Sequence, residues 1–441
     1  MPVLPRASVA DTARVLTGVV VPLLARGVIL RRPVVVRALE ALDADARAVR
    51  LLVRLRDRYG PGPLRLRIPR RRTVLVLDPA HVQVVLDGSP EPFSPATREK
   101  RAALGPFQPH GVLVSTGAAR ADRRRFVVEV LDTAAPVHRA SAAITARVAT
   151  ELAPLDDVDP LTWPSFARAW WRTVRGVVLG AGAVDDEALT DDLARLRAAG
   201  NWSVLHRDRP EVRERFLRRL TEHVARAAPG SLAASMAGAP VTADTDPVQQ
   251  VPQWLFAFDA AGMATFRALA LLATHPAERA TAQAEVAAAG AVGGDGRELP
   301  FLRACLLESI RLWPTTPAVL RETTTRTRRL GAPIPPDTQV VVFAQLFHRD
   351  PALPEADRFA PGLWLRGPGE PGSRAGLEWP FIPFSAGPVE CPGRNLVLHV
   401  GSTALARLVT TDRTLAGRRL TPDAPLPGTL DPFSLRFTAA D

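Results

Sequence analysis

At 441 residues, 46% of them hydrophobic, the chain has ample apolar material for a large core, and no repeat or low-complexity block interrupts it. Its net charge of +11 is almost wholly arginine, since Lys100 is the only lysine; such an Arg- and Ala-rich balance reads as genomic bias rather than nucleic-acid binding. The clusters Arg70-Arg71-Arg72 and Arg123-Arg124-Arg125 suit a docking face for an acidic partner as well as they suit solvated surface. Cys305 and Cys391 stand too far apart in the chain for a disulfide framework or a zinc spacing, which favours a reducing, cytoplasmic compartment.

Residues 1–50 read as an N-terminal extension of uncertain order, and 51–441 as the principal domain. The apolar run Val15 to Ala25 is too short to cross a bilayer as a helix. Asp11 before it and the lack of a small-residue cleavage site argue against a secretory signal, leaving at most a peripheral membrane contact. Leu64, Leu66 and Ile68 alternate with Arg65 and Arg67, and Thr73 to Leu77 follows Pro69 to Arg72, which predicts a hairpin with one face inward. From about 115 to 320 the pattern is helical: Phe166, Trp170, Val174 and Val177 fall at helical spacing, as do apolar positions in 210–228 and 276–289. The Gly/Ala/Pro-rich stretch Ala228 to Pro247 is expected to be the most flexible connection.

Val251 to Thr274 predicts a long helix on which Trp254, Phe258, Ala261 and Thr265 share a face. Ala261 and Gly262 leave that face bare, so a flat ligand has room to approach. Spacing alone favours a buried core helix whose Thr265 hydroxyl bonds back to the carbonyl four residues earlier. After a loop, Ala289 to Arg297, comes a helix carrying Glu308 and Arg311, three apart and so able to pair, and stopped by Pro314 and Pro317. Thr338 to Phe343 is strand-like, and the Gly/Pro-rich 366–378 forms an irregular approach to Cys391. The whole is mainly α with small β-sheets, and no boundary is clean enough to divide it into more than a single domain.

Cys391 sits in Phe384-Ser-Ala-Gly-Pro-Val-Glu-Cys-Pro-Gly-Arg-Asn, directly before an apolar helical pattern (Leu396, Val397, Val400, Leu405, Leu408). A thiol at the foot of a helix meets unpaired N–H groups and the positive dipole end, both of which favour the thiolate. Gly387 and Gly393 let the backbone bend and approach something flat and bulky. A lone thiolate so placed suits an axial ligand to haem iron. The alternative is a small buried hydrophobe beside a helix start.

This segment resembles the haem-binding loop of the cytochrome P450 family, Phe-x-x-Gly-x-Arg/His-x-Cys-x-Gly. Phe384, Gly387, Cys391 and Gly393 match, and Val389 stands where the family has a cation. Leu306 to Pro314 resembles the family's Glu-x-x-Arg helix through Glu308 and Arg311. Arg321 stands where the family holds a haem propionate, and Leu113 to Phe126 resembles a second propionate-contacting helix, with Arg120 and Arg124 at the contacting places. Leu363 replaces the Arg that completes a triad with Glu308 and Arg311, for which Arg358 and Arg366 are candidate substitutes. Ala261-Gly-Met-Ala-Thr resembles the helix segment over the haem, where Thr265 would assist proton delivery to dioxygen. Ala264 there replaces the usual acid, and Asp259 lies on a neighbouring part of the helix surface.

The resemblance implies a cytochrome P450 fold of the bacterial, soluble, monomeric kind. It implies haem b ligated by Cys391, Phe384 beside the sulfur, Arg124, Arg321 and Arg120 at the propionates, and a Glu308–Arg311 brace. Electrons would come from NAD(P)H through a separate ferredoxin or flavodoxin and its reductase, and no nucleic acid is involved. One oxygen atom of dioxygen would enter an apolar or amphipathic organic substrate lying against Phe258, Ala261 and Thr265, with the 96–114 loop and the 200–215 region closing over it. Two other readings stay open: a peroxide-driven peroxygenase, prompted by Ala264, and a non-catalytic haem carrier or gas sensor, prompted by Val389 and Leu363.

Overall fold

In the computed structural model, which describes residues 3–202, 209–290, 296–365, 381–417 and 420–440, the chain falls into two compact units. One comprises 1–101, 310–391 and 426–430; the other comprises 102–309, 392–425 and 431–441. The chain passes repeatedly from one to the other, so neither is a continuous piece and no single cut would separate them.

The first unit is built on a sheet. The alternation at Leu64, Arg65 and Leu66 becomes β1 (Leu64–Leu66), its leucines buried and its arginine exposed. After the turn, β2 (Thr73–Val76) returns antiparallel with Leu64 opposite Leu75, which is the expected hairpin. β2 is buried at every position because it is interior: β1 lies on one side and β6 (Gln339–Phe343) pairs in parallel on the other. The order β1-β2-β6-β5-β3 is completed by β3 (Phe93–Ser94) and β5 (Ala318–Thr323). Helix α1 (Ala44–Tyr59) adds Leu52 and Leu55 to a core that includes Val74, Val76, Phe93, Val340, Phe343, Phe347 and Ile382. The first fifty residues contribute short helical segments, Val9–Val15, Val21–Ala25 and Pro33–Ala41, and Arg6 bridges to Arg65 beside β1.

Helices dominate the second unit. Helix α2 (Arg98–Leu104) brings the chain into it; α3 (Gly117–Val130), α4 (Trp163–Leu179) and α5 (Glu187–Gly200) follow. Helix α6 (Val251–Thr274) has the predicted bounds, α7 (Pro300–Leu312) leads back to the sheet unit, and α8 (Arg394–Thr410) follows the Cys391 loop. Helix α6 packs between α4 and α8, and its length and apolarity serve a mostly buried core element. An aromatic cluster, Trp163, Phe166, Trp170, Phe266, Phe433 and Phe437, welds α4 and α6 to the small sheet β4-β8-β7 (Leu161–Thr162, Arg436–Ala439, Arg413–Leu415). Ala228 to Pro247, expected to be flexible, carries fixed contacts: Ser231 caps the helix Leu232–Ser235, and the Thr245 hydroxyl bonds Asp122.

Candidate active site

The backbone N–H of Cys391 donates to the carbonyl of Phe384 at 2.9 Å, closing the loop so that the two residues meet at its neck. Cys391 is a half-buried thiol outside any disulfide, and Phe384 is likewise half-buried. Gly387 takes φ +69°, and a Cβ there would stand 2.6 Å from the carbonyl oxygen of Leu86, so only glycine fits. Gly393 differs: its φ is an ordinary −91°, and the nearest atom to a Cβ there is 3.7 Å away. The fold itself does not require that glycine, since a Cβ there would make only ordinary van der Waals contact with Leu131. Val389 is buried, so the expected cation of the loop must be found elsewhere.

Arg321, on β5, is 2% exposed. Its Nε donates to Ser89 Oγ at 2.9 Å and its Nη2 to Ser385 Oγ at 3.2 Å, which ties the strand to the residue after Phe384. The neighbouring Lys100 reaches Leu320 O, a contact that sequence reasoning did not single out.

Glu308 and Arg311 are both wholly buried on α7. The Arg311 guanidinium donates to four main-chain carbonyls: His348 (2.8 Å), Ala356 (3.1 Å), Glu355 (3.0 Å) and Arg358 (2.8 Å). Among the described residues these carbonyls line the guanidinium on the side away from its own helix. Arg358 is an exposed residue that contributes its backbone, Leu363 is buried, and Arg366 lies outside the described residues, as do 203–208 and 291–295 of the other predicted loops. His348 accepts from the N–H of Ile382 at 2.9 Å, fixing the segment that leads into the Phe384 loop. Burial and the Arg311 charge push its imidazole pKa down to about 3, so it is neutral there.

In the helical unit, Arg120 on α3 is buried, and its Nε has no hydrogen-bond partner among the described residues. Burial, then the charge of Arg124, lowers its pKa. A desolvated guanidinium of this kind calls for an anion. Arg124 is half-buried one turn further along α3.

The face of α6 expected to be bare is filled with protein. Phe258 is 2% exposed, its carbonyl accepts from Trp170 Nε1 at 2.8 Å, and a Cβ on Gly262 would meet that same nitrogen at 2.7 Å. Ala261 is buried, and Ala264 is buried with its carbonyl accepting from Ser309 at 2.8 Å. Thr265 is fully buried and donates to Ala261 O at 2.9 Å, the back-bonded state that spacing alone favoured. A Cβ on Gly401 of α8 would lie 3.2 Å from its hydroxyl. Phe258, Ala261 and Thr265 are therefore packing positions, not walls of an opening. In the first ten residues of α6 the half-buried positions are Gln253, Phe256, Ala257, Asp259 and Ala260, which form a different stripe of the helix. Asp259 pairs with the buried Arg197 of α5, whose guanidinium lies 5.0 Å from the Phe256 ring. Gln253 accepts from Gln108 at 2.6 Å, and the Gln108 Oε1 has no partner among the described residues. The alternation of exposure that marks this stripe has no counterpart in the apolar spacing, which is why the sequence pointed to the packed face.

The helical body, the two small sheets and the thiol loop define a cytochrome P450 fold. The chain superposes on the solved cyanobacterial CYP120A1 with retinoic acid bound (TM-score 0.68, 18% identity, 88% of this chain and 93% of that one) and on the cytochrome P450DA heme domain (0.69, 18%, 90% and 92%). Residues 243–411 match the family model Cytochrome P450. Among curated proteins, the chain is 37% identical over 131 residues to cytochrome P450 monooxygenase sphH of Aspergillus fumigatus, a stretch covering 29% of this chain and 23% of that protein. It is 34% identical over 116 residues to cytochrome P450 84A1 of Arabidopsis thaliana, covering 26% and 22%. The matched stretch thus spans about a quarter of the length of these relatives. Residues 243–411 thus resemble the cytochrome P450 family, and the fold of the chain is that of its solved members. The residues present fit the haem carried by that family: in the first unit a half-buried thiol outside any disulfide, on a loop closed to Phe384, and in the second a buried Arg120 whose Nε has no hydrogen-bond partner among the described residues.

Proposed function

We propose that this protein is a haem-thiolate monooxygenase that inserts one oxygen atom of dioxygen into an apolar or amphipathic organic molecule. The observation that carries the reading is the closed loop of Phe384 and Cys391, which holds a half-buried thiol outside any disulfide directly before a long buried helix. When bound, haem supplies the dioxygen chemistry, and the protein supplies ligation, orientation and charge. Cys391 would be the axial ligand, its thiolate donating electron density to the iron. Arg120, Arg124 and Arg321 would hold the propionates. Gln253, Phe256, Ala257 and Ala260 would line the substrate side, where Gln108 Oε1 offers an acceptor to a polar substrate group.

Proton delivery is the point at which this chain departs from the family pattern. The half-buried stripe of α6 offers a carboxylate, Asp259, and no hydroxyl, because Thr265 lies on the packed face. We therefore give the proton-delivering role to Asp259, held by Arg197, in place of Thr265. Electrons would come from NAD(P)H through a separate ferredoxin or flavodoxin and its reductase, to a soluble, cytoplasmic monomer of the bacterial kind whose haem domain is 51–441. Turnover with reductase and ferredoxin, with product and consumed NAD(P)H counted together, tests this. The hydroxyl-free stripe also favours a second reading, a peroxide-driven enzyme; fast coupled oxidation with hydrogen peroxide alone, and none with the electron-fed system, would establish it instead.

A further inference from the structure

The positive charge of the chain is gathered at one end. Residues 1–72 hold sixteen arginines and five carboxylates, an excess of eleven that equals the net charge of +11, so residues 73–441 balance to zero. The exposed apolar side chains gather in the same place. Of the ten large hydrophobic residues exposed among the described residues, seven lie between Val3 and Leu42.

Helical spacing arranges both on neighbouring faces of the first unit. Val9–Val15, Leu16–Val20 and Val21–Ala25 run on from one another, and Val9, Ala13, Thr17, Val21 and Leu24 recur on their exposed side at steps of three or four. In Pro33–Ala41, Val36 and Leu39 are buried, while Val34, Arg37, Ala38, Ala41 and the C-capping Leu42 are exposed. Val34 is 83% exposed. Both segments pack on α1, whose own outward stripe is Arg47, Arg50 and Arg54. Among the described residues these three have no carboxylate at ion-pair distance; Arg56 and Arg58 of the same helix take Asp350 and Asp11 instead. Asp57 is the one exposed acid of that helix.

We propose that this outer layer of residues 3–58 is a docking surface for an anionic lipid bilayer, its valines and leucines entering the acyl boundary while the arginines meet the headgroup phosphates. The outward stripes are aliphatic, with none of the aromatic residues that mark the core of a protein–protein interface. The charge excess sets two copies of the chain against each other, which disfavours self-association through the same face. Attachment is by several shallow contacts, so it is reversible and falls with salt. The surface does not depend on the haem reading, and either stands without the other.

The test is cosedimentation of the full chain with vesicles of phosphatidylcholine alone and of equal parts phosphatidylcholine and phosphatidylglycerol. Binding should be strong on the anionic vesicles, weak on the neutral ones, and reversed by high salt. Arg47→Gln, Arg50→Gln and Arg54→Gln together should weaken it about a hundredfold, about fivefold for each charge lost. Leu24→Ser with Val34→Ser, which keeps every charge, should weaken it about tenfold or more. In the unaltered protein, hydroxyl-radical oxidation of Leu24, Val34 and Leu42 should fall several-fold on the anionic vesicles. Equal binding to both vesicle types, or oxidation at those positions that the vesicles leave unchanged, would overturn the proposal. Full binding by the Leu24 and Val34 double variant would also overturn it, since charge alone would then suffice. Binding to polyglutamate but not to vesicles would give the face to an acidic protein instead.

Discussion

Arg311 and His348 hold each other from both sides: Arg311 Nη1 donates to the His348 carbonyl at 2.8 Å, while His348 Nδ1 donates to the Arg311 carbonyl at 3.3 Å. With His348 Nε2 accepting from Ile382, this closes a path from the end of α7 to the strand of chain that enters the Phe384 loop. The support of the thiol loop is thus a set of buried main-chain bonds organised by one guanidinium.

A planar fork that serves four carbonyls cannot be copied by an ammonium group. Arg311→Lys should therefore destabilise the protein by about 3–5 kcal/mol, the range for breaking a buried charged network. Urea unfolding measures it. A loss below about 1 kcal/mol, the worth of one ordinary hydrogen bond, would mean that these bonds are dispensable.

The depressed imidazole of His348 makes a signed prediction about pH. Its folded value is about 3 against an ordinary 6.5, so the unfolded chain binds the proton more readily. The stability it contributes is complete above pH 6.5 and is lost as the pH falls from there toward 3. Within that window the slope is about 1.4 kcal/mol per pH unit. His275 and His399 are lowered too, His399 to about 4, so the test is a difference between wild type and His348→Asn. The variant should lose stability less steeply on acidification; identical slopes would remove His348 from the account.

Asp259 and Thr265 are separated by their surroundings. Thr265→Ala removes a hydroxyl bonded only within its own helix, and should change stability by about 1 kcal/mol or less, with the fraction of electrons reaching product unchanged. Asp259→Asn should lower that fraction by about tenfold or more, as loss of a general acid does. The reverse pattern would return the proton-delivering role to Thr265.

The two loop glycines should behave oppositely. Gly387→Ala forces a left-handed φ and a 2.6 Å approach to the Leu86 carbonyl, and should cost the fold about 1–3 kcal/mol. Gly393→Ala meets nothing closer than 3.7 Å and should leave the unloaded stability alone while weakening haem uptake, as followed by titration. Equal haem affinity in wild type and Gly393→Ala would mean that the porphyrin does not approach the backbone here.

Much of the fold was legible because it rests on local periodicity. Alternation at Leu64–Leu66 gave β1, and the apolar spacing of Val251–Thr274 gave α6 to its ends. Residues marked by type and spacing, such as Cys391, Phe384 and Gly387, were also readable. What sequence could not supply was the rotation of α6, because an almost uniformly apolar helix carries no strong mark of which stripe meets protein and which does not. Trp170 filling the space over Gly262 is a tertiary fact with no local signal. Nor could it show that Arg311 is satisfied by carbonyls, since backbone acceptors leave no trace in side-chain identity. Lys100 was visible only as a rarity; the Leu320 carbonyl it shares with Arg321 lies far away in sequence.

The most direct test of the account is the reduced carbon monoxide spectrum of the haem-loaded protein beside that of Cys391→Ala. Wild type should show the red-shifted Soret band of a thiolate ligand, and the variant should lose it. A thiolate-type band that persists in Cys391→Ala, or one that is missing from haem-loaded wild type, would contradict the assignment of this sulfur to the iron.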